Sequence, residues 1–175
     1  MMSPLTIQAL RIVHILVSAM WVGTVLFVAS FLLPAAKAIG PAGAAMMQEL
    51  MIARRLPTYI LSSGLLTVLS GLALYWNDSA GFSSPWMSSG PARTFGLGAV
   101  FGLVTLVLGV TINAPTAKKL AKLGAAIKGS AAPPTAEQSR EMQRLGDRLR
   151  GAMNAAAVLL VLAITCMAVA RYVPH

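Results

Sequence analysis

The chain has 175 residues, of which 57% are hydrophobic and only 11% charged, and its formal net charge is +9. Such a composition excludes a disordered polypeptide and argues against an ordinary soluble domain. The basic residues gather in two connecting segments, with no aromatic-interleaved basic face, which speaks for membrane topology and against a nucleic-acid partner. Four apolar segments, at about 7–33, 57–76, 94–115 and 151–172, match or exceed the ~20 residues that span a bilayer. The expected fold is all-α: an antiparallel bundle of four transmembrane helices forming one integral membrane domain, with residues 116–150 as a cytoplasmic helical hairpin.

The first segment carries Arg11, His14, Ser18 and Trp21 inside an otherwise lipid-compatible run. Its apolar stretch is longer than the 7–15 residues of a signal-peptide core, and little positive charge precedes it, so it is expected to stay as a span. At about 100° per residue these four side chains and Val25 share an arc of roughly 80°. Hydrocarbon cannot hydrogen-bond such an arc, so it is expected to face other helices. An ionisable residue inside a membrane segment marks a candidate functional site. For His14 the alternatives are a hydrogen bond that ties helices together, a metal or haem ligand, and a proton relay.

Pro34 is expected to end this segment. Gly40-Pro41 opens a short amphipathic stretch with Met46, Met47 and Met51, which suits either an interfacial helix filled with adaptable thioethers or a soft-sulfur site for Cu(I). The second segment places Tyr59, Ser63, Thr67 and Ser70 on one arc, and Tyr75 and Trp76 mark its interfacial end. In the third, Gly98, Gly102, Thr105, Gly109 and Asn113 form a stripe. Its glycines suit either close helix packing or a flat slot for a planar cofactor, and Pro115 is expected to end or kink the helix.

Within 116–150, Lys118, Lys119, Lys122 and Lys128 surround Leu120, Leu123 and Ile127 at helical spacing. This basic face suits lipid headgroups and solvent, with a calmodulin-like or anionic-lipid role as the alternative. Thr135 and Gln138 have capping-box spacing, and Glu141–Arg144 and Asp147–Arg150 are i,i+3 pairs. In the fourth segment Asn154, Val158, Val161, Thr165, Ala168 and Tyr172 align on one stripe that is expected to face inward. Cys166 and Met167 fall off that stripe, and the single cysteine excludes an intrachain disulfide.

Arg11, Arg93 and Arg171 are the basic residues of one side, and all others lie on the opposite side. The positive-inside rule then places both termini outside the cytoplasm, in a multi-pass protein of the cell inner membrane. His14, Ser70, Thr165, Gly98 and Gly102 are expected at a common depth. That arrangement suits haem b, with His14 on iron, Gly98 and Gly102 against the ring, and Arg11 and Arg171 on the propionates. A second axial ligand is open: Met167, a second copy of the chain, or none, since His175 follows Pro174 at the terminus. Copper would have His14 and thioethers such as Met167.

His14, Trp21 and Gly23, with Pro34 at the helix end, resemble the first helix of copper-resistance-protein-D-like (CopD-like) membrane proteins. Ser70-Gly71-Leu72, the third segment closed by Pro115, and the run Met167 to Tyr172 resemble small four-helix membrane proteins near that group. The resemblance implies a four-helix bundle linked to copper handling or to a b-type-cytochrome-like scaffold. It carries His14 over as a ligand and Trp21 and Gly23 as packing residues. The chain departs from the larger copper-resistance proteins in having about half their helices and no second intramembrane histidine.

Three functions remain: a haem or copper protein in electron transfer or metal handling, a non-catalytic subunit of a larger membrane complex or homo-oligomer, and a small pH-dependent transporter. No nucleophilic triad, zinc-protease motif, P-loop or dinucleotide fingerprint points to an enzyme.

Overall fold

Ser3 starts the first helix. Its hydroxyl accepts the Thr6 backbone N–H at 3.2 Å, and Pro4 opens the helical turn where a missing N–H costs nothing. The computed structural model describes residues 2–82, 85–130 and 133–174, and among these every regular element is helical. The elements are α1 (Pro4–Phe27), α2 (Leu33–Ile39), α3 (Pro41–Ile52), α4 (Leu56–Asp78), α5 (Gly90–Leu108), α6 (Ala114–Gly129) and α7 (Ala136–Val169).

Four continuous helical runs are long and apolar enough to cross a membrane: Pro4–Ile39, Leu56–Asp78, Gly90–Gly129 and Ala136–Tyr172. The chain is therefore an all-α, multi-pass membrane protein. The first run does not stop at Pro34, where the sequence places its end, and the third continues past Pro115 into the hairpin. Each passes through its proline by way of five residues in π-helical conformation, Val28–Leu32 and Gly109–Asn113. The widened turn closes on itself, with Leu33 N–H donating to Val28 O and Ala114 N–H to Gly109 O. A ring at Pro34 or Pro115 would otherwise meet the carbonyl four residues back. The π turn relieves that conflict, and the helix continues.

The chain divides into two compact units. Unit 1 comprises Met1–Gly23, Ser62–Leu106 and Val158–His175. Its core holds Trp21, Val22 and Leu160 with Ser63, Thr67, Ser70 and Thr105. The buried hydroxyls do not need water. Thr67 Oγ1 donates to Ser63 O, Ser70 Oγ to Leu66 O and Thr105 Oγ1 to Phe101 O, at 2.7–2.9 Å. In the last turn of α4, Tyr75 and Trp76 pack on Phe82 from the following turn, and Tyr75 also meets Trp86 edge-on at 5.4 Å.

Unit 2 comprises Thr24–Leu61 and Val107–Ala157. Here α3 packs on α2 and α6. Gly43 presses so closely on the Ala36 carbonyl that no side chain fits between them. On α7, Leu145, Leu149 and Met153 form the buried stripe. Lys37 reaches Asp147 at 3.7 Å, and Asp147 also meets Arg150 at 3.6 Å. The Thr135–Gln138 capping box forms in both directions: Thr135 N–H donates to Gln138 Oε1 at 2.9 Å, and Gln138 N–H to Thr135 Oγ1 at 3.2 Å.

Candidate functional site

Unit 1 contains a cavity of about 440 Å³, within the usual range for small-molecule sites. His14, Ser18 and Trp21 of α1 line it, as the first-helix arc predicts. Arg11, Gly98, Gly102, Met167 and Arg171 line the same cavity, so all six sequence-selected site residues meet in one place. Arg93, grouped with the other two arginines from its position in the chain, is not part of the lining.

The half-buried His14 ring is held from one side by α4. Its Nδ1 lies 2.9 Å from Thr67 O and 3.1 Å from Ser70 Oγ. A backbone carbonyl only accepts, so Nδ1 carries the proton and donates it to Thr67 O. In the neutral ring the lone pair then lies on Nε2, which has no hydrogen-bond partner among the described residues. Metal-ligating histidines are oriented in this way, one ring nitrogen donating to a carbonyl and the other left to bind. Gly71 makes the approach possible: a Cβ there would lie 2.8 Å from His14 Cε1.

The glycines of α5 play two different roles. A Cβ on Gly98 would meet Met167 Cε at 3.0 Å, Cys166 Cβ at 3.1 Å and Ala163 O at 3.2 Å, so this glycine serves close packing against α7. Gly102 also lines the cavity, but nothing lies within 4 Å of the corresponding position, which leaves open space beside the helix backbone. Gly23 likewise has nothing within 4 Å and is exposed, which corrects its expected role as a packing residue. Trp21 does pack, with its ring set against Gly64 where a Cβ would sit 2.7 Å from Cε2.

The fourth-segment stripe is reversed. Asn154, Val158, Val161, Thr165, Ala168 and Tyr172 are all exposed, and the buried face is Met153, Ala156, Ala157, Leu160, Ala163 and Ala170. Small side chains decide which face packs. Thr165 can face lipid because its hydroxyl donates to Val161 O at 2.9 Å within its own helix. Thr165 therefore does not join His14 and Ser70, whereas Met167 turns toward the cavity. Tyr59 is also exposed, unlike Ser63, Thr67 and Ser70 on its arc.

Charge at the cavity comes from Arg11, Arg171 and Asp78. Arg11 Nη2 and Asp78 Oδ2 are 3.9 Å apart and both side chains are at least a third exposed, so the pair contributes little to stability. Arg171 has no ion pair among the described residues. Asp78 is absent from the sequence-based site, yet it is the sole acidic residue of unit 1 in the sequence, and counting acids would have found it. Tyr75 and Trp86 also line the cavity, and Tyr75 OH donates to Ala92 O at 3.1 Å. The terminal His175 lies outside the described residues.

The cavity thus brings together one imidazole, open space beside Gly102 and the charged groups of Arg11, Asp78 and Arg171. No group of three or more His, Cys, Asp or Glu side chains suited to a bare metal ion occurs among the described residues. The fold and cavity thus define the class of protein: a multi-pass α-helical membrane protein with a ligand-sized internal site. No protein-family model, curated protein or solved structure matches the chain.

Proposed function

We propose that the chain is a cofactor-binding membrane protein that seats haem b on His14 and serves electron transfer. The observation that carries this reading is the His14 ring, locked by the Thr67 carbonyl with Nε2 unpartnered beside a cavity lined by Gly102, Arg11 and Arg171. In this reading His14 Nε2 ligates iron, and Trp21 and Leu160 supply apolar wall. Arg171, in no ion pair among the described residues, would face a propionate more readily than Arg11, which Asp78 already engages. Met167 is the candidate second ligand. Bound haem would supply one-electron chemistry, with its potential tuned by axial ligand and burial.

The donor set favours a prosthetic group held by one histidine over a bare copper ion, which would lack further imidazoles or thiolates. The likeness of His14, Trp21 and Pro34 to the CopD-like first helix agrees with a b-type-cytochrome-like role. The distribution of Lys and Arg supports an orientation with both termini outside the cytoplasm and the 116–150 hairpin within it, in an inner membrane.

Titration of the purified protein in detergent with haem b tests the reading. A saturable Soret shift at one equivalent is expected, absent in His14→Ala at unchanged helix content. Gly71→Ala keeps the ligand residue but crowds its ring, and should bind about 10–100-fold more weakly. No binding, or a spectrum unaffected by His14→Ala, would contradict the proposal. A colourless protein that co-purifies with partner subunits would instead favour an accessory role.

A further inference from the structure

The lysines of α6 are not absorbed by the His14 cavity. Lys118, Lys119, Lys122 and Lys128 are all exposed, α6 contains no acidic residue, and none of its lysines takes part in an ion pair among the described residues. Elsewhere in unit 2 three of the four acids are engaged, Glu49 with Arg54, Glu141 with Arg144, and Asp147 with Lys37 and Arg150, and the fourth, Glu137, lies in the first turn of α7. Among the described residues no acid of unit 2, Glu137 included, forms an ion pair with a lysine of α6.

Position gives this charge a target. α6 continues the apolar run Gly90–Gly129 without a break, and Lys118 stands three residues after Pro115. On a helical wheel Lys118, Lys119 and Lys122 fall within about 100°, while Leu120, Leu123 and Ile127 fall within about 60° on another side. Those three apolar side chains are half-buried. Along the axis Lys122 is about 6 Å beyond Lys118, and Lys128 about 15 Å beyond it. With a Debye length of about 8 Å at physiological salt, the first three lysines act at the membrane surface and Lys128 is screened from it. Their long apolar stems also let the ammonium groups reach the headgroup layer.

We propose that Lys118, Lys119 and Lys122 form a binding face for anionic lipid headgroups in the leaflet at which α6 emerges. The occupant is a phospholipid carrying net negative charge, held by charge complementarity at the end of a membrane span.

The test uses the full chain in bilayers of phosphatidylcholine containing a minority of phosphatidylglycerol, and reads the preference of spin-labelled phosphatidylglycerol over phosphatidylcholine at the protein. The wild-type chain should prefer the anionic lipid, and the preference should fall as salt rises. Each lysine removed from the face should lower relative affinity by up to about fivefold. The Lys118→Gln, Lys122→Gln double variant should therefore lose most of the preference. The Lys128→Gln, Arg140→Gln double variant removes equal charge near the hairpin tip and should keep it. The proposal is overturned by a wild-type chain without preference, by equal loss in the two double variants, or by displacement of the lipid by about 10 mM inorganic phosphate. The salt series needs no variant, and none of these readouts depends on haem.

Discussion

Unit 1 and unit 2 are made from the same four membrane-crossing runs, yet they handle polar groups in opposite ways. Unit 1 has three basic residues and one acid, and unit 2 has eleven basic residues and four acids. In unit 1 charged groups are few, the buried hydroxyls bond back to their own helices, and one imidazole is aimed by a neighbouring carbonyl. In unit 2 polar groups are mostly charged and exposed, and they meet as ion pairs at 3.3–3.7 Å. The difference teaches where specificity is affordable. Surface ion pairs tolerate change, whereas a shaped cavity depends on individual van der Waals contacts.

If this contrast is right, changes of volume in unit 1 should outweigh changes of charge in unit 2. Trp21→Ala removes a ring that is 3% exposed and should cost about 3–5 kcal/mol in denaturation from detergent micelles. Gly64→Ala drives a methyl into that ring and should cost about 1–3 kcal/mol. Gly23→Ala has free space and should gain up to about 1 kcal/mol from helix propensity, which separates a steric effect from a general intolerance of substitution. In unit 2, Thr135→Ala breaks the capping box and should cost about 1 kcal/mol. Asp147→Asn removes the shared partner of Lys37 and Arg150, side chains that are 59% and 31% exposed, and should cost under about 1 kcal/mol, less in high salt. A charge variant more damaging than Trp21→Ala would reverse the comparison.

Much of the architecture was legible in the chain. Hydropathy located four spans, the 100° wheel grouped Arg11, His14, Ser18 and Trp21, and Thr135–Gln138 announced a helix start. Pro34 misled because a ring conflict was judged over a single turn, whereas a π turn absorbs it in the preceding five residues, as another does before Pro115. α7 misled for a different reason. In lipid, polarity does not mark the inner face when a threonine hydroxyl can bond back to its own helix, as at Thr165 and at the exposed Thr111. Alanines marked that face instead. The two roles of Gly98 and Gly102 depend on which side chains of α7 reach them, which no spacing rule encodes.

The account rests on the proton of one imidazole. Nitrogen NMR of histidine-labelled protein, with a His175→Gln variant to leave His14 as the single signal, reports that proton directly. The account predicts a neutral ring protonated at Nδ1, with a pyridine-type Nε2 resonance that moves when haem b is added. A ring protonated at Nε2, or an Nε2 signal indifferent to haem, would contradict it.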